Sequence, residues 1–154
     1  MKKYIVAIDQ STSATKAFLV DHQGKIGQRA SLPHKQYYPA PGRVEQDAEE
    51  IYQNVVSAFD SVTDGISLSE IAALALTNQR ETVVIWECAT GHPLAPAIVW
   101  QDIRGESVCQ TLKEHWDYIH QVTGLPLSPY FAASKLATLF AEHPALKQRA
   151  EHGE

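Results

Sequence analysis

The sequence predicts an α/β protein with a mixed sheet and flanking helices. Two strand-sized apolar runs, Ile5–Ile8 and Ala17–Val20, enclose a short polar loop and read as a hairpin. Behind Asp47, the residues Ile51, Val55 and Phe59 recur at intervals of four, the spacing of one helix face. Ile71–Leu76 is then almost wholly apolar, as in a strand covered on both faces. Strands, a crossover helix and a buried strand, in that order, give a mixed sheet.

Composition sets the limits. A chain of 154 residues suits one compact domain spanning 1–154, and 44% hydrophobic against 20% charged residues is a globular balance. A formal charge of -5 without a basic cluster argues against a nucleic-acid groove. It leaves room for a nucleotide site, where a few donors and a metal ion suffice. The apolar run after Tyr4 is too short for a signal-peptide core, and no stretch approaches a membrane span. Cys88 and Cys109 lie far apart without metal-like spacing, so a reduced, cytoplasmic protein is expected.

In chain order, the hairpin is followed by a turn at Asp21–Gly24 and a third strand over Lys25–Leu32. Pro33, Pro39 and Pro41 then keep the chain irregular. Asp47 and Glu50 match a capping box that opens a helix of roughly three or four turns. Gly65 ends that region. After Ile71–Leu76, the polar interruption Thr77–Thr82 precedes a strand at Val83–Trp86. Cys88–Pro93 is a turn and Leu94–Val99 a further strand. Asp102 is a candidate N-cap for a helix carrying Val108, Leu112, Trp116 and Ile119 on one face, closed by Gly124. Leu125–Phe131 is a proline-constrained loop. A short helix with Leu136, Leu139 and Phe140 ends at His143-Pro144, and the last ten residues are polar.

Two stretches carry candidate chemistry. The hairpin loop holds Asp9, Ser11, Thr12, Ser13 and Thr15, with Lys16 alongside. Backbone N–H groups in such a turn can cradle an anion, while the hydroxyls add donors and Lys16 a positive charge. Asp9, at the strand's end, suits a hydrated Mg²⁺ beside the same phosphates. The competing reading is a hydroxyl-rich surface hairpin. It is not a Walker A loop, since the glycine spacing and the Gly-Lys-Ser/Thr ending are missing. The second stretch is Thr77–Thr82, at a strand end, where open α/β sheets bind ligands. Arg80 donates and Glu81 accepts, so together they can clasp vicinal hydroxyls of a polyol. The competing reading is a solvated turn with a local ion pair. Trp100 and Tyr130 offer rings to a small polar ligand, or are core aromatics. Arg104 stands at the wrong end of its helix for the dipole, which hints at another partner. Among the seven histidines none forms a spaced pair beside an acid, and neither a Gly-x-Ser-x-Gly elbow nor a Gly-x-Gly-x-x-Gly turn occurs.

With these residues laid out, the sequence resembles the N-terminal lobe of the FGGY carbohydrate kinases. The matching pieces are Asp9–Ser13, Pro41–Asp47, Thr77–Thr82, Ile98–Gln101 with Arg104, and Pro129–Phe131, in the family's order over almost the whole chain. The Asn-Gln-Arg-Glu and Pro-Tyr-Phe pieces are most similar to the glycerol kinase branch. The resemblance implies the ribonuclease H-like fold shared with actin and hexokinase. It implies ATP and Mg²⁺ as cofactors, with Asp9 near the metal and Thr12, Ser13 and Lys16 at the phosphates. It further implies Arg80, Glu81 and Tyr130 on the hydroxyls of a small polyol or sugar, with Trp100 on its carbon backbone. The general-base aspartate belongs to the family's second lobe, so no catalytic residue is expected within these 154 residues, and the isolated chain is expected to be silent. That C-terminal lobe is the main expected partner; self-association through the surface it covers is another expectation, while nucleic acid and membrane are not.

The family pattern is not matched everywhere. Ser11 replaces a glycine, Ala14 a common hydroxyl, Lys16 an arginine and Ile103 the second of two consecutive arginines. Lysine keeps the charge but loses the planar fork. These changes leave open a kinase for another sugar, such as a ketopentose. The alternatives of a different class are a non-catalytic ATPase-fold interaction domain and an inactive fragment, with a dinucleotide-binding domain third.

Overall fold

The computed structural model describes residues 3–154. Its elements are β1 (Tyr4–Gln10), β2 (Ala14–Asp21), β3 (Ile26–Pro33), β4 (Glu45–Gln46), α1 (Ala48–Thr63), β5 (Ile71–Asn78), β6 (Ala97–Ile98), α2 (Glu106–Thr111), α3 (Trp116–Thr123), α4 (Ala132–Glu142) and α5 (Pro144–Glu151). They divide into two compact units. One comprises residues up to Lys35 with Asp47–Gln79; the other comprises Gln36–Gln46 with Arg80–Glu154.

The first unit is a four-stranded sheet in the order β3-β2-β1-β5, with β1–β2 and β2–β3 antiparallel and β1–β5 parallel. Alternation along β1 buries Val6, Ile8 and Gln10. Val6 and Ile8 meet Ala17 and Leu19 of β2 and Ala58 and Val62 of α1 in one core. Asp47 caps α1 as expected, accepting from the N–H groups of Glu49 and Glu50. The Glu50 carboxylate, the other member of the expected capping box, accepts from the Lys35 N–H at 3.3 Å.

One expectation for this unit fails. Ile71–Leu76 does form a strand, but β5 is at the sheet edge and is not covered on both faces. Leu74 and Leu76 are 56% and 63% exposed. An apolar run reports what a strand tolerates on its faces, not what lies against it.

The second unit has little sheet. β4 pairs with β6, while Val83 and Trp86 join only through isolated bridges to Ile98 and Pro93. The expected strands at Val83–Trp86 and Leu94–Val99 thus shrink to bridges and the two residues of β6. Val83, Ile98 and Leu139 form its apolar core. The expected single helix after Asp102 is broken into α2, a 3₁₀ turn over Lys113–His115, and α3. Gly124, at φ 71°, closes α3 in the left-handed region. Gly105, not Asp102, is the residue that caps α2. A side chain there would collide with α4, since a Cβ would stand 2.7 Å from Ser134 Cβ. The polar C-terminus contains α5, which opens on Pro144 where a missing N–H costs nothing.

Asp102 has a different task. Its buried carboxylate accepts from the Val44 N–H at 2.7 Å and from Arg104 through N–H, Nε and Nη2 at 2.8, 2.9 and 2.8 Å. Arg104 Nη2 also donates to Glu45 at 2.7 Å. The misplaced charge of Arg104 therefore has its partners.

Candidate functional site

In the first unit, Asp9 and Lys16 face each other across the β1–β2 ladder, and Thr12 and Ser13 occupy the turn between the strands. Asp9 alternates with the buried Val6, Ile8 and Gln10 series, which places it on the sheet face away from α1. No ion pair joins Asp9 to Lys16 among the described residues. The two hydroxyls outside the expected set are engaged within the hairpin and its surroundings. Ser11 Oγ donates to the Ala14 carbonyl at 2.8 Å, and Thr15 Oγ1 lies 3.0 Å from His34 Nε2.

Ser11 stands where the family has glycine, yet it has no left-handed backbone; among the described non-glycine residues only Glu81 does. The substitution is therefore free of conformational strain. Among the described residues no group of three acidic, histidine or cysteine side chains could hold a metal ion. Asp9 offers a single carboxylate, which fits a water-rich Mg²⁺ carried by phosphates and not a protein cage.

His34 is a contributor that no sequence motif singles out. Its N–H donates to the Ser13 carbonyl at 2.9 Å, fixing the turn, and its Nδ1 lies 3.1 Å from the Asn54 amide nitrogen. On the other side of the ring, Nε2 faces the Thr15 hydroxyl and, at 3.4 Å, the Gln10 amide nitrogen. Burial lowers the His34 pKa, with the Glu50 charge opposing, so the ring is held neutral. The only available signal was its place after β3, whose end pairs with the start of β2.

In the second unit, three of the four expected polyol contacts converge. The Tyr130 ring meets Trp100 edge-on at 6.0 Å and Phe131 at 5.2 Å. Trp100 and Tyr130 remain 36% and 37% exposed, so neither is a closed core aromatic. Glu81 holds a left-handed backbone at φ 64°, an uncommon state for a side chain of this kind. Lys135 Nζ donates to the carbonyls of both Glu81, at 3.3 Å, and Tyr130. Arg80 is exposed beside Glu81, and no ion pair joins the two among the described residues. The local ion pair of the competing reading is not there.

Against known proteins, the model of the FGGY family of carbohydrate kinases, N-terminal domain, matches residues 4–152. The chain belongs to the FGGY family of carbohydrate kinases. Glycerol kinase 1 of Thermotoga maritima is 46% identical over 98% of this chain and 32% of its own length. The crystal structure of Plasmodium falciparum glycerol kinase with ADP superposes with a TM-score of 0.87 at 34% identity, over 97% of this FGGY chain and 31% of that one. A ligand-bound xylulose kinase from Lactobacillus acidophilus gives 0.81 at 28% identity, over 89% of this chain and 28% of its own. The α/β fold with its mixed sheet and flanking helices thus matches the family's N-terminal lobe. The chain spans about a third of the length of the curated relatives it matches. No helix among the described residues is long and apolar enough to cross a membrane.

Proposed function

We propose that these residues are the N-terminal, phosphate- and substrate-binding part of a kinase that phosphorylates a terminal hydroxyl of glycerol or a related polyol or sugar. The observation that carries the reading is the convergence of Glu81, Tyr130 and Trp100, with Glu81 in a backbone state uncommon for a non-glycine residue. The names of the relatives, glycerol kinases at 46% and 43% identity, support glycerol first.

In this reading Arg80 donates to and Glu81 accepts from neighbouring hydroxyls, Tyr130 adds a phenolic OH, and Trp100 covers the carbon chain. Thr12 and Ser13 donate to phosphate oxygens, Lys16 offsets their charge, and Asp9 holds the hydration shell of Mg²⁺. Mg²⁺-ATP supplies the phosphoryl group and much of the charge neutralisation. The chain's own contribution is positioning and preorganised donors. The general base is assigned to a further lobe, so the 154 residues alone are not expected to turn over. The free thiols Cys88 and Cys109 are in keeping with a cytoplasmic setting.

The second reading, a kinase of a different sugar, is favoured by the likeness to a xylulose kinase. The test is ADP release by the intact protein against glycerol, xylulose, ribulose and gluconate, repeated with Arg80→Ala and Glu81→Gln. Selectivity for glycerol that both changes abolish supports the proposal. A sugar preference indifferent to both overturns the clasp, and inertness toward every substrate overturns the kinase.

A further inference from the structure

Lys135 is fully buried, an unusual place for an ammonium group. No ion pair reaches it among the described residues. Burial lowers its pKa, against the pull of Asp102 and Glu81 and together with the repulsion of Arg104. Replacing it with an apolar side chain would remove that desolvation cost, so packing alone does not account for it. Its acceptors do. Nζ donates to the backbone carbonyls of Glu81 and Tyr130 and lies 5.7 Å from the centre of the Tyr130 ring.

Those two carbonyls belong to segments far apart in sequence, and both segments carry the side chains of the proposed clasp. The peptide plane after Glu81 is part of its left-handed geometry, so a donor on that carbonyl holds the backbone from which the Glu81 side chain starts. The same donor fixes the start of the Tyr130 peptide. Lys135 itself projects from the first turn of α4, a regular helix, and not from a loop.

We propose that Lys135 is a positioning residue for the polyol. It sets the spacing of the Glu81 carboxylate and the Tyr130 hydroxyl through their backbones, without touching substrate. The inference rests on the clasp proposed above.

The test is steady-state kinetics of the intact protein with glycerol varied, for Lys135→Met, Lys135→Arg and Glu81→Gln. Lys135→Met should raise KM for glycerol at least tenfold and leave KM for Mg²⁺-ATP within twofold, with Lys135→Arg recovering part of the loss. A KM for glycerol unchanged in Lys135→Met but raised in Glu81→Gln overturns the role of Lys135 alone. Unchanged values in both overturn the clasp and, with it, this inference. If Lys135→Met does not fold, the unsubstituted protein decides. Saturating glycerol should shift the ¹⁵Nζ resonance of Lys135, and an unmoved resonance overturns the proposal.

Discussion

Asp102→Ala should destabilise the fold by about 3–5 kcal/mol, the usual cost of removing one partner of a buried ion pair. The Asp102 carboxylate is fully buried and receives one hydrogen bond from Val44 and three from Arg104. Its loss leaves the Arg104 side chain, 3% exposed, with Glu45 as its remaining ion-pair partner, and strands the Val44 N–H. At about 2–4 °C per kcal/mol for a chain of this size, the midpoint should fall by roughly 6–20 °C. Asp102→Ala with Arg104→Met should be milder than the two single costs summed, because their mutual attraction is then lost once and not twice, while Glu45 loses its partner. The pH dependence has a definite sign. Burial pushes the Asp102 pKa up, but the hydrogen bonds from Arg104 and Val44 and the Arg104 charge outweigh it and hold the carboxyl below its ordinary 3.8. The contribution is therefore complete above the unfolded value and disappears as pH falls through the folded one. Urea unfolding followed by tryptophan fluorescence, at neutral pH and along the acid limb, measures both effects. A cost under about 1 kcal/mol, or strict additivity in the double variant, would refute the assignment.

Three further outcomes follow from particular residues. Glu81→Gly should raise thermal stability by about 1 kcal/mol, since glycine accepts the left-handed backbone freely, while abolishing glycerol selectivity; a drop in midpoint would count against stored strain. Because burial sets the folded His34 pKa below its ordinary 6.5, stability should decline as pH falls from about 6.5, and His34→Gln should flatten that slope in a pH series of melting curves. Gly105→Ala should cost about 1–3 kcal/mol by overpacking against Ser134, read from the urea midpoint; a neutral result would mean that α4 yields at no cost.

The sheet of the first unit was legible because its signals are local. A strand-sized apolar run wrote β1, the polar turn wrote the hairpin, and Asp47 wrote the start of α1. The second unit was harder. Its segments are held by pairings such as Val83 with Ile98, and by the Asp102–Arg104–Glu45 group, whose members are separated in sequence. Asp102 read as an N-cap because Asp before a helical pattern usually is one. The deciding fact, the Val44 N–H arriving from another segment, has no local signature. Of the candidate residues, Glu81, Trp100 and Tyr130 come together in space. Lys135 was missed because it acts on backbone carbonyls, which no side-chain motif records, and His34, in the other unit, because the Thr15 and Asn54 that its ring meets are distant in sequence.

The sheet order also fixes an order in time. The β1–β2 hairpin closes through a turn of a few residues, an event of about 1–10 μs. The parallel strand β5 aligns Ile71 with Tyr4, so it pays the entropy of a long loop before any of its ladder bonds form. Asp9, Thr12, Ser13 and Lys16 are thus gathered by a local step that needs no long loop to close. The turn proposed to meet phosphate is in place before the sheet that supports it is complete.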